Sequence, residues 1–249
     1  MRKFSYQLYS SRNFPPLAKT LEMVAGFGYH QVEGYSGLFG SGVDIDALKD
    51  GLAANGLAMP TAHFGFEMVR DAPDRVIRIA LALEIEAIFV PAVGTRQRDA
   101  AGWATFGRDL AEAGKPIRDA GLSFGWHNHD YEFADLGGAD KPLDLILAGS
   151  DDLCLEIDVA WVQIGGEDPI EWIGKYADRI ISVHVKDIAP PGAGAHEDGW
   201  ADVGHGVMDW PGIMNTLAAT KARYFIMEHD NPADDRRFAE RSIASARKF

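Results

Sequence analysis

The sequence predicts an α/β chain folded as an eight-stranded (β/α)8 barrel. Short β-branched or aromatic runs alternate with longer helical patterns from end to end, and 249 residues is the usual size for eight such units. The competing doubly wound sheet usually carries a glycine-rich phosphate turn after its first strand, and here that turn reads SSRNFPP. No low-complexity tract, charge block or Ser/Pro-rich linker divides the chain, so residues 1–249 read as a single domain.

The first strand is expected over Phe4–Tyr9. Leu17, Leu21 and Val24 then follow a four-then-three spacing, and Gly26 and Gly28 close that helix. A second strand, Gln31–Glu33, precedes a helix capped by Asp44, with Leu48 and Leu52 on one face and Gly56 as its stop. Strands follow at Ala58–Phe64 and Ala87–Val90. A helix from about Asp99 to Ala120 should kink at Pro116, whose ring removes a backbone donor. The remaining strands are Ser123–Asn128, Leu153–Ile157, Ile180–Val185 and Tyr224–Glu228, with a final helix near Ala233–Lys248. Strict alternation implies parallel strands, since each crossover helix returns the chain to the same edge. The segment Ile188–Val207 is too rich in Gly, Pro and Ala to begin as a helix. It reads as a lid, or as a contact surface in a homo-oligomer, with Trp200 and His205 inside it.

Composition narrows the function classes. Hydrophobic residues make up 47% and charged residues 24%, which is ordinary for a globular protein and sets disorder aside. The 37 acidic side chains against 24 basic ones give a formal charge of −13. That balance disfavours nucleic acid and anionic membranes as partners. A single cysteine, Cys154, fits a reducing compartment, and no apolar run follows the basic N-terminus or reaches membrane-spanning length. A cytoplasmic location is the expectation.

Barrel enzymes build their sites at the C-terminal strand ends, and polar side chains gather there. The second strand ends in Glu33, the third carries His63, and the fifth runs into HNHDYE, with His127, Asn128, His129, Asp130 and Glu132. The sixth ends in Glu156 and Asp158, the seventh in His184, Lys186 and Asp187, the eighth in Glu228, His229 and Asp230. Ordinary readings stand beside these. His63 alone suits a structural histidine, and His30, His196 and His205 suit loops. Asp130, Asp187 and Asp230 could cap helices. Glu228 and His229 must point to opposite faces, whereas Glu156 and Asp158 share one, so Glu156 lies deeper and needs a partner, for which Lys186 is the obvious candidate. Taken together, several carboxylates around one rim repel strongly unless a cation sits among them. Three oxygen donors and one nitrogen suit Mn2+ or Mg2+, with Zn2+ or Co2+ as alternatives.

Read in order, YQLYS, GWHNHDYEF, LEIDVAWV, SVHVKDI, VGHGVMDW and FIMEHD resemble the sugar phosphate isomerase/epimerase superfamily, the xylose-isomerase-like TIM barrels, over nearly the whole chain. The resemblance implies a divalent metal held from the fifth to eighth strands by Glu132, Asp158, His184 and Glu228, with His127 or His129 as the alternative to Glu132. Related DNA-repair barrels place His three residues after the sixth-strand Asp, where this chain has Trp161, so a repair role is set aside.

The activity so implied is that of a metal-dependent sugar isomerase or epimerase that moves a proton next to a carbonyl through an enediolate. Glu132 and Glu228 are the candidate proton carriers. His63, Asn128, His129, Lys186, Glu33 and Trp161 are candidates for substrate binding, with Trp126, Trp161 or Phe64 as an apolar wall. A lyase that expels a β-leaving group from a 3-keto sugar or keto-inositol is the alternative, favoured by extra imidazoles at His127 and His129. A non-catalytic scaffold is the third reading. Barrels commonly grip phosphate with the loops after the seventh and eighth strands, yet between Lys186 and Lys221 the chain has no Lys or Arg and the loop after the seventh strand is glycine-rich instead, so a non-phosphorylated small sugar is expected.

Overall fold

Eight short runs form the wall of a closed parallel barrel in the computed structural model, which describes residues 3–95 and 98–249. In chain order the strands are β1 (Ser5–Gln7), β2 (Gln31–Gly34), β3 (Ala58–His63), β4 (Ala87–Val90), β5 (Ser123–His127), β6 (Cys154–Asp158) and β7 (Ile180–Val185). A two-stranded insert, β8 (Asp187–Ile188) with β9 (Trp200–Ala201), precedes β10 (Tyr224–Met227), which is the eighth strand of the barrel. The closing order is β1-β10-β7-β6-β5-β4-β3-β2, all parallel.

Alternation along these strands divides the side chains into two environments. Outward-facing residues such as Ile88, Val90, Val183 and Phe225 join the large core under the helices. Ala87, Phe89, Ile181, Tyr224 and Ile226 form a separate small apolar cluster on the inner face. Above that floor the barrel interior is polar. Register fixes its layers: His127 pairs with Glu156, Asp158 with His184, and Gln7 with Glu33.

The helices depart from expectation at their breaks. The pattern expected as one helix over Asp99–Ala120 is two, Ala100–Ala113 and Lys115–Asp119. Pro116 lies in the first turn of the second, where its missing N–H leaves no helical bond unmade. The break falls at Gly114, where an added Cβ would lie 2.0 Å from the Phe124 ring. Asp44 caps its helix as expected, accepting from the Ala47 N–H at 3.0 Å. The last helix runs over Asp235–Ala246 and is capped by Asp234.

The C-terminal end of the segment Ile188–Val207 is tied to the barrel by Asp187. Asp187 does not cap a helix. Its carboxylate accepts from the N–H groups of Gly204 (2.8 Å), Gly206 (3.2 Å) and Met208 (3.2 Å) and from the Trp210 indole (2.9 Å). Gly206 is required at this hub, because a Cβ there would meet Asp187 Oδ1 at 2.1 Å. Trp200 is thereby brought over the C-terminal mouth. Among the described residues, no helix is long and apolar enough to cross a membrane.

Candidate metal centre and substrate cleft

The mouth of the barrel is built in two layers. In the deeper one Glu156 is fully buried, and Lys186 is not its partner. Its Oε1 accepts from Ser182 Oγ (2.6 Å), while Oε2 faces His63 Nε2 (2.5 Å), His127 Nδ1 (3.2 Å) and His184 Nε2 (3.2 Å). Glu33 extends this network, with Oε1 taking a bond from Gln7 Nε2 (2.7 Å) and lying 2.7 Å from His184 Nε2. Two carboxylates and three imidazoles so packed titrate together. Burial works to raise the Glu156 carboxyl, but the neighbouring His184 and His63 charges hold it well below the usual range. Burial and the Glu156 charge push Glu33 up. Burial would lower His184, yet Glu156, Glu228 and Glu33 raise it well above an ordinary imidazole. His127 falls to about 3 through burial and the adjacent His184 charge, so it stays a neutral donor.

The upper layer carries Asp158, Glu228 and Lys186. Asp158 Oδ1 caps the following helix, accepting from Ala160 (2.9 Å) and Trp161 (3.0 Å), whereas Oδ2 is buried without a hydrogen bond. Burial lifts this carboxyl to about 7 against the pull of Lys186 and His184. Glu228 Oε2 lies 2.8 Å from His184 Nδ1. Burial alone would raise its pKa, but Lys186 and His184 keep it well below the usual range, so it is a carboxylate at neutral pH. Lys186 is fully buried and donates to Asp230 (2.6 Å) and Glu228 (3.3 Å), 3.8 Å from Asp158. Its Nζ lies 4.1 Å from the Trp200 ring centre and 4.8 Å from that of Trp161.

Asp158, His184 and Glu228 are thus brought together, and the imidazole that joins them is His127: one donor atom from each of the four lies within 4.8 Å of the others. His63, His127, Glu156 and His184 form a second such group one layer down. Glu132 belongs to neither. It sits on the short 3-10 turn Tyr131–Phe133, fully buried, and its oxygens accept from the Trp126 indole (2.8 Å) and the His129 N–H (3.0 Å). Burial outweighs those bonds and raises its carboxyl to about 8. The expectation that Glu132 completes the metal shell thus meets a carboxyl outside both donor groups, its two oxygens already accepting from Trp126 and His129.

Other expected roles shift as well. Asn128 is buried and brackets the Asp158 backbone, donating to its carbonyl (3.2 Å) and accepting from its N–H (3.0 Å), so it positions Asp158 rather than facing a ligand. Glu33 and Lys186 are both fully buried, Glu33 bonded to Gln7 and His184 and Lys186 to Asp230 and Glu228. Phe64 stacks on Phe39 at 4.4 Å and Trp126 packs on Phe106 at 5.3 Å in the outer core, so neither forms a wall of the mouth. Trp161 does lie at the mouth, half-buried against Trp200 and His129. His229 points away from Glu228 and packs on Phe238, as strand alternation requires.

Over the donor layer opens a cleft of about 670 Å³ whose walls include His63, His127, His129, Glu228 and Asp230. Tyr9, Arg12, Tyr35 and Asp198 also line it, and the sequence does not single them out. Arg12 is the third residue of the SSRNFPP segment, just past the short turn Leu8–Ser11 that follows β1, and its place beyond a strand end is the signal that could have marked it.

Residues 21–249 match the family model described as Xylose isomerase-like TIM barrel. A stretch of 138 residues, 50% of this chain, is 23% identical to the rhizopine catabolism protein MocC of Rhizobium meliloti and spans 42% of that protein's length. Among solved structures, a sugar phosphate isomerase/epimerase from Parabacteroides distasonis superposes with a TM-score of 0.81 at 18% identity, over 98% of this chain and 92% of that one. D-Psicose 3-epimerase from Clostridium cellulolyticum H10, solved with D-tagatose, gives 0.72 at 15% identity over 99% and 97% of the two chains. A probable 3-DHS dehydratase, AsbF, from Bacillus anthracis gives 0.77 at 12% identity over 98% of each.

Proposed function

We propose that this chain, which belongs to the xylose isomerase-like TIM barrel family, is a divalent-metal-dependent isomerase or epimerase of a non-phosphorylated keto or aldo sugar. The observation that carries the reading is the convergence of His127, Asp158, His184 and Glu228 beneath an open cleft, with the buried Asp158 Oδ2 left without a hydrogen bond. A buried carboxylate oxygen in that condition is costly unless a cation takes it up. Two imidazoles and two carboxylates suit Mn2+, with Zn2+ or Co2+ next and all-oxygen-preferring Mg2+ behind them. When bound, the cation would polarise a substrate carbonyl and acidify the adjacent C–H.

The chain's own residues supply the rest. Glu228, ionised and on the cleft wall, is placed to take the α-proton. His63 lines the same cleft with Glu156 behind it. Burial would lower its pKa, but Glu33 and Glu156 raise it; a proton on His63 can be delivered to the neighbouring carbon or the opposite face, after which Glu228 releases the abstracted proton to solvent and His63 takes one up. Trp161 and Trp200 cover the Lys186 ammonium. A lyase reading is supported by His129, whose ring on the cleft wall could protonate a departing oxygen.

The test is incubation of keto and aldo sugars in deuterated water with the Mn2+-loaded protein. Deuterium at an α-carbon with the skeleton intact is the expected result, and loss of water or aglycone would select elimination. No exchange with any sugar, with or without metal, would overturn both.

A further inference from the structure

We infer that Arg12 sets the substrate class of this cleft by receiving the carboxylate of a sugar acid; the inference rests on the proposal that the cleft holds a sugar. Among the described residues, Arg12 is the one Lys or Arg on the cleft wall. Its guanidinium lies 3.8 Å from the centre of the Tyr9 ring, and Nη1 donates to the carbonyls of Tyr9 (3.1 Å) and Asp230 (2.5 Å). Both hydrogens of Nη1 are thereby used, and the plane of the group is fixed. Nε and Nη2 donate to no protein group among the described residues. Their N–H bonds form the parallel edge that matches two oxygens of one anion.

Position and charge narrow the anion. The Asp230 carbonyl that anchors Arg12 is two residues beyond Glu228, so the guanidinium sits beside the proposed proton carrier but on the β1 side of the mouth. A sugar whose reacting carbonyl lies over His127 and His184 would extend its far end toward Arg12. The same wall carries Asp198 and Asp230, the latter already paired with Lys186. One guanidinium balances one negative charge. A phosphate ester brings about two at neutral pH, and with no further Lys or Arg on that wall its second charge would face Asp198 unopposed. A carboxylate matches the site in both geometry and charge, and it keeps the substrate non-phosphorylated.

The test uses the full Mn2+-loaded chain and calorimetric titration with D-glucuronate, D-glucose and D-glucose 6-phosphate, and with the corresponding galacto trio, which differ only at C6. The unsubstituted protein is expected to bind one uronate roughly 10- to 100-fold more tightly than its neutral counterpart, the worth of a charged hydrogen-bonded pair. Arg12→Met should bring that ratio to about one, and Arg12→Lys, which keeps the charge without the fork, should retain part of it. If Arg12→Met does not fold, judged by thermal melting, the Lys variant carries the comparison. An undiminished ratio in the variants, or tighter binding of the phosphate ester, overturns the inference while leaving the sugar reading intact. Absence of binding by all six compounds removes the sugar reading, and the inference with it.

Discussion

Replacing Lys186 by Met removes one buried charge at nearly constant volume. In the metal-free protein Lys186 is fully buried, 2.6 Å from Asp230, 3.3 Å from Glu228 and 3.8 Å from Asp158. Stripping one partner from a buried ion cluster costs about 3–5 kcal/mol, because the remaining charges stay desolvated. Two indole faces also lose their cation, within the same figure. With a urea slope of about 3 kcal/mol per molar for a chain of this size, the midpoint of Lys186→Met in chelator should fall by about 1–1.7 M. The cost has a pH signature. Without the ammonium, Asp158 and Asp230 take up protons more readily in the fold than in the unfolded chain, so the penalty grows as pH rises and shrinks toward acid. Saturating Mn2+ should recover much of the loss, since a dication among the same carboxylates replaces the missing charge. A midpoint change that is small, pH-independent and indifferent to metal would refute this account of Lys186.

Asp158→Asn keeps the Oδ1 cap on Ala160 and Trp161 but replaces the unbonded oxygen by an amide nitrogen, so it should fold and lose Mn2+ affinity by about two orders of magnitude, read by calorimetry. Glu132→Ala should leave one metal per chain, measured by elemental analysis, while costing about 2–5 kcal/mol for two buried N–H groups left without acceptors. The Glu132 carboxyl stands at about 8 in the fold against an ordinary 4.5, so the fold holds a proton that the unfolded chain releases. Its contribution is therefore present at acid pH and lost as pH rises through that interval, and the stability gap to Glu132→Ala should narrow accordingly. Asp187→Ala frees four donors that tie residues 204–210 to the barrel, and hydrogen exchange should show the 188–207 segment losing protection.

Much of the architecture was legible because barrel strands announce themselves as short apolar runs between capped helices. Asp44 and Gly56 bounded their helix as written, and Asp158, His184 and Glu228 converge because they end successive strands. What sequence could not decide was direction. Glu132 looked like the fifth-strand carboxylate, yet it lies past the strand on a 3-10 turn that aims it at Trp126, and His127 takes the inward position at the strand end. Lys186 is the obvious partner for a deep Glu156 in the sequence, but the β6–β7 register sets Glu156 beside Ser182, one layer below Asp158 and His184. Arg12 escaped notice because its anchor is a carbonyl 218 residues away, a contact that exists only once β1 and β10 close the barrel.

The central claim is that strands β5, β6, β7 and β10 seat a cation between His127, Asp158, His184 and Glu228. An anomalous difference map from crystals of the Mn2+-soaked protein tests it most directly. The account predicts one peak within bonding distance of all four side chains; a peak at Glu132, or only among His63 and Glu156, or none at all, would contradict it.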